Sequence, residues 1–396
     1  MIAKRMEGYV KNNSAIRMMF EEGKRLANLY GKENVYDFSL GNPNVPAPAS
    51  INDEIKRIVD LVDPLTVHGY MSNAGFESTR EAVAASLKKR FDTDFTVNDI
   101  IMVAGAAAGL NATLKAILDP EDEVLVFAPY FLEYRAYVTN YDAKLVEIAP
   151  DTKTFMPDVK ALEKAINVKT KALILNNPNN PTGVIYDEEV IKEIAAVLSK
   201  KEKEVGHPIF LISDEPYREL AYDGARVPFV TKYYRNSIVC YSFSKSLSLP
   251  GERIGYVAVP NVIEDHDNLF TAIVCACRIT GFVNAPSLMQ LAVERCIDEK
   301  CDLDFYDKNR KDLYEMLTEL GFECVKPQGA FYLFVKSPVA DEKEFVQAAV
   351  KKNILFVGGS SFACPGYVRM AYCVSNDTIR NSRNAFTELA KEFNLK

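Results

Sequence analysis

The chain has 396 residues, enough for two or three domains at roughly 150 residues each, and its 48% hydrophobic and 26% charged content gives ordinary globular material for a large core. Forty-seven Lys and Arg against 54 Asp and Glu leave a net charge of −7, a poor basis for nucleic-acid binding, which runs on clustered positive charge. The opening residues carry charges where a signal peptide needs an apolar stretch, and the longest apolar run, residues 100–110, is broken by glycine and too short to span a bilayer, so no membrane or secreted setting is expected.

In chain order, residues 15–30 read as an amphipathic helix. Runs at 100–103, 124–127, 172–175, 209–212, 238–241 and 255–259 read as short buried strands. Helical patterns at 107–118, 161–165 and 187–200 lie between them. Alternation of nearly continuous apolar strands with helices predicts a large, doubly wound, mostly parallel α/β sheet domain. Past about residue 290 the texture changes to a helical stretch near 287–319, the string Gly329-Ala-Phe-Tyr-Leu-Phe-Val, a helix near 342–352, an apolar run at 367–374 and a final helix. That pattern predicts a smaller α+β domain. The helix at 15–30 has no obvious place in the large domain and is assigned to the small one. The expected division is therefore 1–44 and 291–396 in the small domain and 45–290 in the large one. Eight cysteines, all from Cys240 onward, form no Cys-x-x-Cys pair, and three histidines offer no zinc cluster. Buried reduced thiols in a reducing cytoplasm are expected, with no metal site.

Ligands of such a sheet sit beyond the carboxyl ends of its strands, so the residues just after each strand carry the chemistry. The string Ser242-Phe-Ser-Lys-Ser-Leu-Ser-Leu-Pro-Gly-Glu-Arg-Ile-Gly follows one strand. Burial and nearby positive charge would lower the pKa of Lys245 and give the neutral amine that forms a Schiff base. Arg253 is a fixed cation suited to bidentate phosphate binding. After another strand, Asp214-Glu-Pro-Tyr217 offers a carboxylate able to hold a pyridinium nitrogen protonated and a hydroxyl able to reach a phenolate oxygen. An N-cap Asp and a core Tyr are the plainer alternative. Asn180 belongs to Asn-Pro-Asn-Asn-Pro-Thr-Gly over 177–183, more elaborate than a turn requires. Gly105-Ala106-Ala107 joins a strand to a helix, where small residues let backbone N–H groups approach a phosphate, or simply pack cheaply. Phe131 could stack on a flat ring or belong to the core. Tyr70 lies in a loop before a helix. Arg369 is a charge on an otherwise apolar strand, either partnered or waiting for an anion.

With these residues assembled, the chain resembles the fold-type-I, pyridoxal-phosphate-dependent aminotransferases of class I/II, the family of the aspartate aminotransferases. The resemblance runs in order from Leu40-Gly-Asn-Pro through Gly75, Asn180-Pro-Thr-Gly, Asp214-Glu-Pro-Tyr and Ser-Phe-Ser-Lys245 to Arg369. It implies that Lys245 carries pyridoxal 5'-phosphate and shuttles the substrate proton, with Asp214 on the ring nitrogen. Asn180 and Tyr217 would reach the phenolate oxygen, and Ser242, Arg253 and the backbone at Gly105, Ala106 and Ala107 would hold the phosphate. Phe131 takes the place of the stacking aromatic. Tyr70 resembles the tyrosine that reaches the neighbouring subunit's phosphate, which implies a homodimer with shared sites. Arg369 resembles the arginine on the substrate α-carboxylate, assisted by Asn180 and the backbone of Gly41. Two departures stand out: Ala106 and Ala107 replace the Ser, Thr or Lys of many relatives, and Phe131 replaces the Trp of some.

The implied activity is ping-pong amino transfer from an L-amino acid to a 2-oxo acid, of the aspartate/2-oxoglutarate type if a second carboxylate is read. Arg17, in a segment resembling the family's mobile N-terminal stretch, and Arg278, before Gly281-Phe-Val-Asn, are the candidates for that second carboxylate. Glu21 is a plain helical partner for Arg17. A carbon–sulfur lyase using the same site is the nearest alternative. A ligand-sensing module is a more distant one, and it would carry a DNA-binding extension and a less acidic chain.

Overall fold

The computed structural model describes residues 1–11 and 15–395; residues 12–14, part of the segment before Arg17, lie outside the described residues. Its strands in chain order are β1 (Tyr36–Asp37), β2 (Ile100–Val103), β3 (Glu123–Phe127), β4 (Lys144–Ile148), β5 (Thr170–Asn176), β6 (Phe210–Asp214), β7 (Ser237–Ser242), β8 (Gly255–Ala258), β9 (Tyr332–Lys336), β10 (Ile354–Leu355), β11 (Val357–Gly358) and β12 (Tyr367–Ala371). Seven of them form one sheet in the order β2-β8-β7-β6-β5-β3-β4. The pairs among β3 to β7 are parallel, whereas β8 runs against both β7 and β2. The sheet is thus a mostly parallel, helix-covered one with a single reversed strand. The reason is local. Only a one-turn helix, Phe243–Ser246, lies between β7 and β8, too little for the crossover that a parallel return needs.

Both faces of the sheet are covered, as the unbroken apolar strands require. On one face Met102, Leu125, Leu173, Leu211 and Val239 join a cluster that includes Cys296 and Cys364. On the other, Ile101, Val124, Ile174, Ile212 and Val257 join one that includes Cys240 and Cys277. A third cluster, with Cys301 and Cys373, lies under a three-stranded antiparallel sheet, β11-β12-β9, and the helices Leu303–Glu319, Glu342–Val350 and Asn376–Glu392. All eight thiols are unpaired. The parallel pair β1–β10 ties the N-terminal segment to this smaller layer. The helix Ala15–Tyr30 packs beside β11 and buries Leu26.

The helical stretch expected at 287–319 is two helices, Ser287–Cys296 and Leu303–Glu319, because the Asp302 side chain caps the second by accepting from Phe305 N at 3.0 Å. Strand β4 escaped the sequence reading: at the sheet edge it is half exposed, and Lys144 and Glu147 break its apolar run. Among the described residues no helix is long and apolar enough to cross a membrane.

The two layers are fixed to one another by backbone bonds. Ala330 N donates to Leu220 O at 2.9 Å, and Gln328 N donates to Gly183 O at 2.8 Å. The Tyr222 hydroxyl donates to Ala330 O at 2.7 Å. These bonds set the start of β9, and so place Tyr332 over the end of the large sheet. Within that sheet, Gly255 lets β8 press against its neighbours: a Cβ there would lie 2.2 Å from Tyr241 O and 3.1 Å from Gly105 Cα. Backbone atoms cannot yield as a side chain would. Gly255→Ala should therefore destabilise the fold by about 1–3 kcal/mol, the usual cost of overpacking, read as a lower urea midpoint with an unchanged m-value.

Candidate active site

At the carboxyl ends of β5, β6 and β7, together with the loop after β2 and the start of β9, lies a cavity of about 270 Å³. Eleven of the residues singled out from the sequence line it: Gly41, Ala106, Ala107, Phe131, Asn180, Asp214, Tyr217, Ser242, Lys245, Arg253 and Arg369. Most of them arrive there because a strand ends there.

Lys245 is in the one-turn helix after β7, whose N-cap is Ser242 accepting from Ser244 N at 3.2 Å. Its Nζ donates to Gly41 O at 3.0 Å and lies 5.2 Å from the centroid of the Phe331 ring. No carboxylate pairs with it among the described residues. Burial lowers its pKa to about 8; the Cys373 thiol opposes the shift, and Arg253 and Arg369 add to it. Near neutral pH the amine is still mainly protonated, but its neutral form is far more populated than that of an exposed lysine.

Asp214 closes β6. Its Oδ2 accepts from the Tyr134 hydroxyl at 2.5 Å, while Oδ1 is buried without a partner among the described residues. Burial raises its pKa to about 7, with the Tyr134 bond opposing the rise and Glu215 adding to it. Asn176 Nδ2 donates to the Asp214 main-chain oxygen at 2.9 Å and fixes the strand end. Asn176 Oδ1 in turn accepts from Asn180 N at 2.7 Å, which orients the Asn180 loop. The Tyr217 hydroxyl meets that of Tyr332 at 2.9 Å, and burial holds the Tyr217 pKa well above its ordinary value.

Arg369, on β12, is buried with no carboxylate beside it among the described residues. Nη1 donates to Asn180 Oδ1 at 3.1 Å and Nη2 to Ser39 O at 2.7 Å, whereas Nε has no partner among the described residues. Its guanidinium lies 4.4 Å from the Tyr332 ring centroid and 4.9 Å from that of Phe362. Gly105, just outside the lining, adopts φ 81° and precedes the helix Ala106–Ile117, whose first N–H groups have no intrahelical acceptor. A Cβ on Gly105 would sit 2.8 Å from Arg253 Nη2. Arg253 itself donates to Pro250 O at 3.0 Å. Phe131 forms part of the cavity wall.

Three residues singled out from the sequence stand apart from the cavity. Tyr70 is fully exposed, and Arg17 and Arg278 are exposed as well. Arg278, in the last turn of the helix His266–Ile279, has Nη2 3.7 Å from Cys275 Sγ. Glu21 pairs with Lys24 at 3.7 Å rather than with Arg17. Conversely, Tyr134, Tyr137, Ser244, Leu40 and Tyr332 were not found from the sequence. Leu40 and Ser244 lie inside the strings Leu40-Gly-Asn-Pro and Ser242-Phe-Ser-Lys245, whereas the three tyrosines carry no local mark.

The family model for aminotransferase class I and II matches residues 33–386. A crystal structure of an amino transferase from Eubacterium rectale is 47% identical, with a TM-score of 0.97 over 100% of both chains. An aspartate aminotransferase of Pyrococcus abyssi is 31% identical over 97% of each chain. A probable N-acetyl-LL-diaminopimelate aminotransferase of Bacillus subtilis is 31% identical over 90% of each. The chain belongs to the class I and II aminotransferases.

The lowered pKa of Lys245 is directly measurable. In the protein without cofactor, modification of Lys245 by an amine-selective reagent should rise with a midpoint near pH 8. Exposed lysines should keep gaining reactivity toward their ordinary value of about 10.4. Quantitative peptide mass spectrometry across pH reads both, and coincident curves would contradict the assigned environment.

Proposed function

We propose that the protein transfers an amino group from an L-amino acid to a 2-oxo acid, with pyridoxal 5'-phosphate carried on Lys245. The observation that carries this reading is a lysine amine whose pKa burial lowers to about 8, in one cavity with a carboxylate oxygen and a guanidinium Nε that have no partners among the described residues. The cavity's donor set fits the cofactor. Asp214 Oδ1 is the acceptor for a protonated ring nitrogen, and Asn180 and Tyr217 are within the same lining for a phenolate oxygen. Ser242, Arg253 and the amides at Gly105, Ala106 and Ala107 suit a phosphate at a helix start. The bare Cα of Gly105 keeps open the space beside Arg253 that a side chain would fill. Phe131 is the flat wall for the ring face. When bound, the cofactor supplies the electron sink for the charge left as the substrate Cα gives up its proton.

The chain's own residues then divide the work. Arg369 binds the substrate α-carboxylate, with Asn180 and the Gly41 backbone beside it, and this fixes which bond at Cα faces Lys245. The neutral Lys245 amine, released from its covalent role, takes the Cα proton and returns it on the far side of the transfer. Asp214 keeps the ring nitrogen protonated. Amino transfer rather than β-elimination is supported by the aminotransferase relatives. Incubation with an amino acid and no acceptor should release one equivalent of oxo acid per site and stop. Continued formation of pyruvate and ammonia would instead make the protein a lyase. Aspartate and 2-oxoglutarate are the first pair to assay. A preference for aspartate over alanine that Arg17→Ala or Arg278→Ala erases would assign the distal carboxylate to these arginines.

Asp214→Asn should still bind cofactor and lose at least about a hundredfold in kcat, since an amide cannot hold the ring nitrogen protonated; this corresponds to about 2.7 kcal/mol of barrier. Retention of activity within about threefold would remove Asp214 from the role.

The assembly we infer is a homodimer in a reducing cytoplasm, a setting supported by eight unpaired thiols. Tyr70, at 107% relative exposure in the single chain, would meet the neighbouring subunit's phosphate site. Mixing inactive Tyr70→Phe and Lys245→Ala proteins should restore part of the activity, because one site of each mixed dimer then holds both native residues. No recovery after confirmed subunit exchange would separate Tyr70 from the neighbouring site.

A further inference from the structure

Asp214 has two oxygens, and among the described residues only one has a partner. Tyr134 lies in the first turn of the helix Glu133–Thr139, three residues after Phe131, and is 1% exposed. Its hydroxyl donates to Oδ2 at 2.5 Å, and among the described residues it is the only side chain bonded to this carboxylate. Oδ1 is left buried and unpartnered. A carboxylate held at one oxygen cannot turn freely about its last bond, so the other oxygen is presented in a fixed direction. The Tyr134 ring also meets Phe131 edge to face, with centroids 5.6 Å apart at 83°. One tyrosine therefore supports both the acid and the aromatic wall.

The other groups facing Asp214 cannot do this. Glu215 is engaged by Arg218 and by Ser213 Oγ, the latter at 2.8 Å. The Tyr217 hydroxyl is engaged by Tyr332. Tyr137 and Cys240 are kept neutral by burial and make no bond to the acid. Tyr134 is held neutral too, with burial first and the neighbouring Asp214 second among the causes, so it remains a permanent donor.

We propose that Tyr134 is a positioning residue: its hydroxyl locks the rotation of Asp214 and favours the ionised carboxylate, so that Oδ1 stands ready for a protonated ring nitrogen. The proposal rests on the cofactor reading above and concerns a residue that touches neither cofactor nor substrate.

The test uses full-length proteins in a Lys245→Ala background, where pyridoxal 5'-phosphate binds without a covalent bond. Its dissociation constant is measured from about pH 5.5 to 9, with ring-15N-labelled cofactor observed by NMR. Tyr134→Phe should weaken binding about tenfold near neutral pH, the scale of one lost hydrogen bond to a charged group. Loss of the donor raises the Asp214 pKa further, so the acid limb of the affinity profile moves to higher pH. The 15N resonance should move toward the unprotonated position. With Asp214→Asn also present, Tyr134→Phe should add less than about twofold, because the partner it acts through is gone. Tyr130→Phe removes a buried hydroxyl that donates to Glu147 instead, and should leave the acid limb in place. An unchanged acid limb in Tyr134→Phe, or equal losses with and without the Asp214→Asn substitution, would overturn the proposal. A fall in Tm alone, with binding and resonance unchanged, would also overturn it. Failure of the Lys245→Ala parent to bind the cofactor at all would overturn the cofactor reading, and this proposal with it.

Discussion

The active region depends on a cation buried without a counter-charge among the described residues. Arg369 is 1% exposed, and its protein partners are an amide oxygen, a main-chain oxygen and two aromatic faces. A guanidinium stripped of water with no anion beside it costs several kcal/mol. The surrounding fold must hold it in place by other means. It does so by joining three stretches of chain: the Ser39 segment, the Asn180 loop and β12. The neighbouring stretches carry Gly41 to Lys245 and Tyr332 to Tyr217. In the proposed function, a small carboxylate entering this region relieves an existing deficit rather than competing with a resident ion pair, so binding and orientation come from one contact.

The second constraint is that burial moves the two central titrating groups toward each other. It lowers the Lys245 amine to about 8 and raises the Asp214 carboxyl to about 7. Both groups therefore change charge close to neutral pH, where in water they would be fully ionised. In the proposed function the first acts as a base and the second as the partner of a positive ring. Placing a positive group beside Oδ1 restores the carboxylate and draws its pKa back down. The site is electrostatically incomplete alone and becomes self-consistent when its ligands arrive.

Much of this was legible in the sequence because strand-end chemistry is local. Ser242 to Gly255, Asp214 to Tyr217 and Asn177 to Gly183 each follow a buried run directly, and the sheet needs only to be parallel for them to converge. The residues that escaped have no such local mark. Tyr332 enters the site only through the domain packing fixed by Ala330 and Gln328. Tyr134 differs from any core tyrosine only in what its hydroxyl reaches. The reversal of β8 could have been read from the short stretch between Ser242 and Gly255, which has no room for a crossover helix. Strand β4 could not, since an edge strand with Lys144 and Glu147 carries little apolar signal. Tyr70, Arg17 and Arg278 were singled out by resemblance, and no property of a single chain brings them to its cavity.

The thiols carry a consequence of a different kind. Each of the three apolar clusters contains two buried cysteines: Cys296 and Cys364, Cys301 and Cys373, Cys240 and Cys277. Cys275 and Cys324 are only partly covered. A thiol reagent can reach the buried six only when the surrounding packing opens, so labelling rates report the free energy of each opening. The molecule thus holds six intrinsic clocks, two in each packed region. If all six run together, the sheet and the smaller layer come apart as one cooperative unit. If the Cys301 and Cys373 pair runs ahead, the smaller layer breathes on its own, and the guanidinium that bridges the two is periodically released to water.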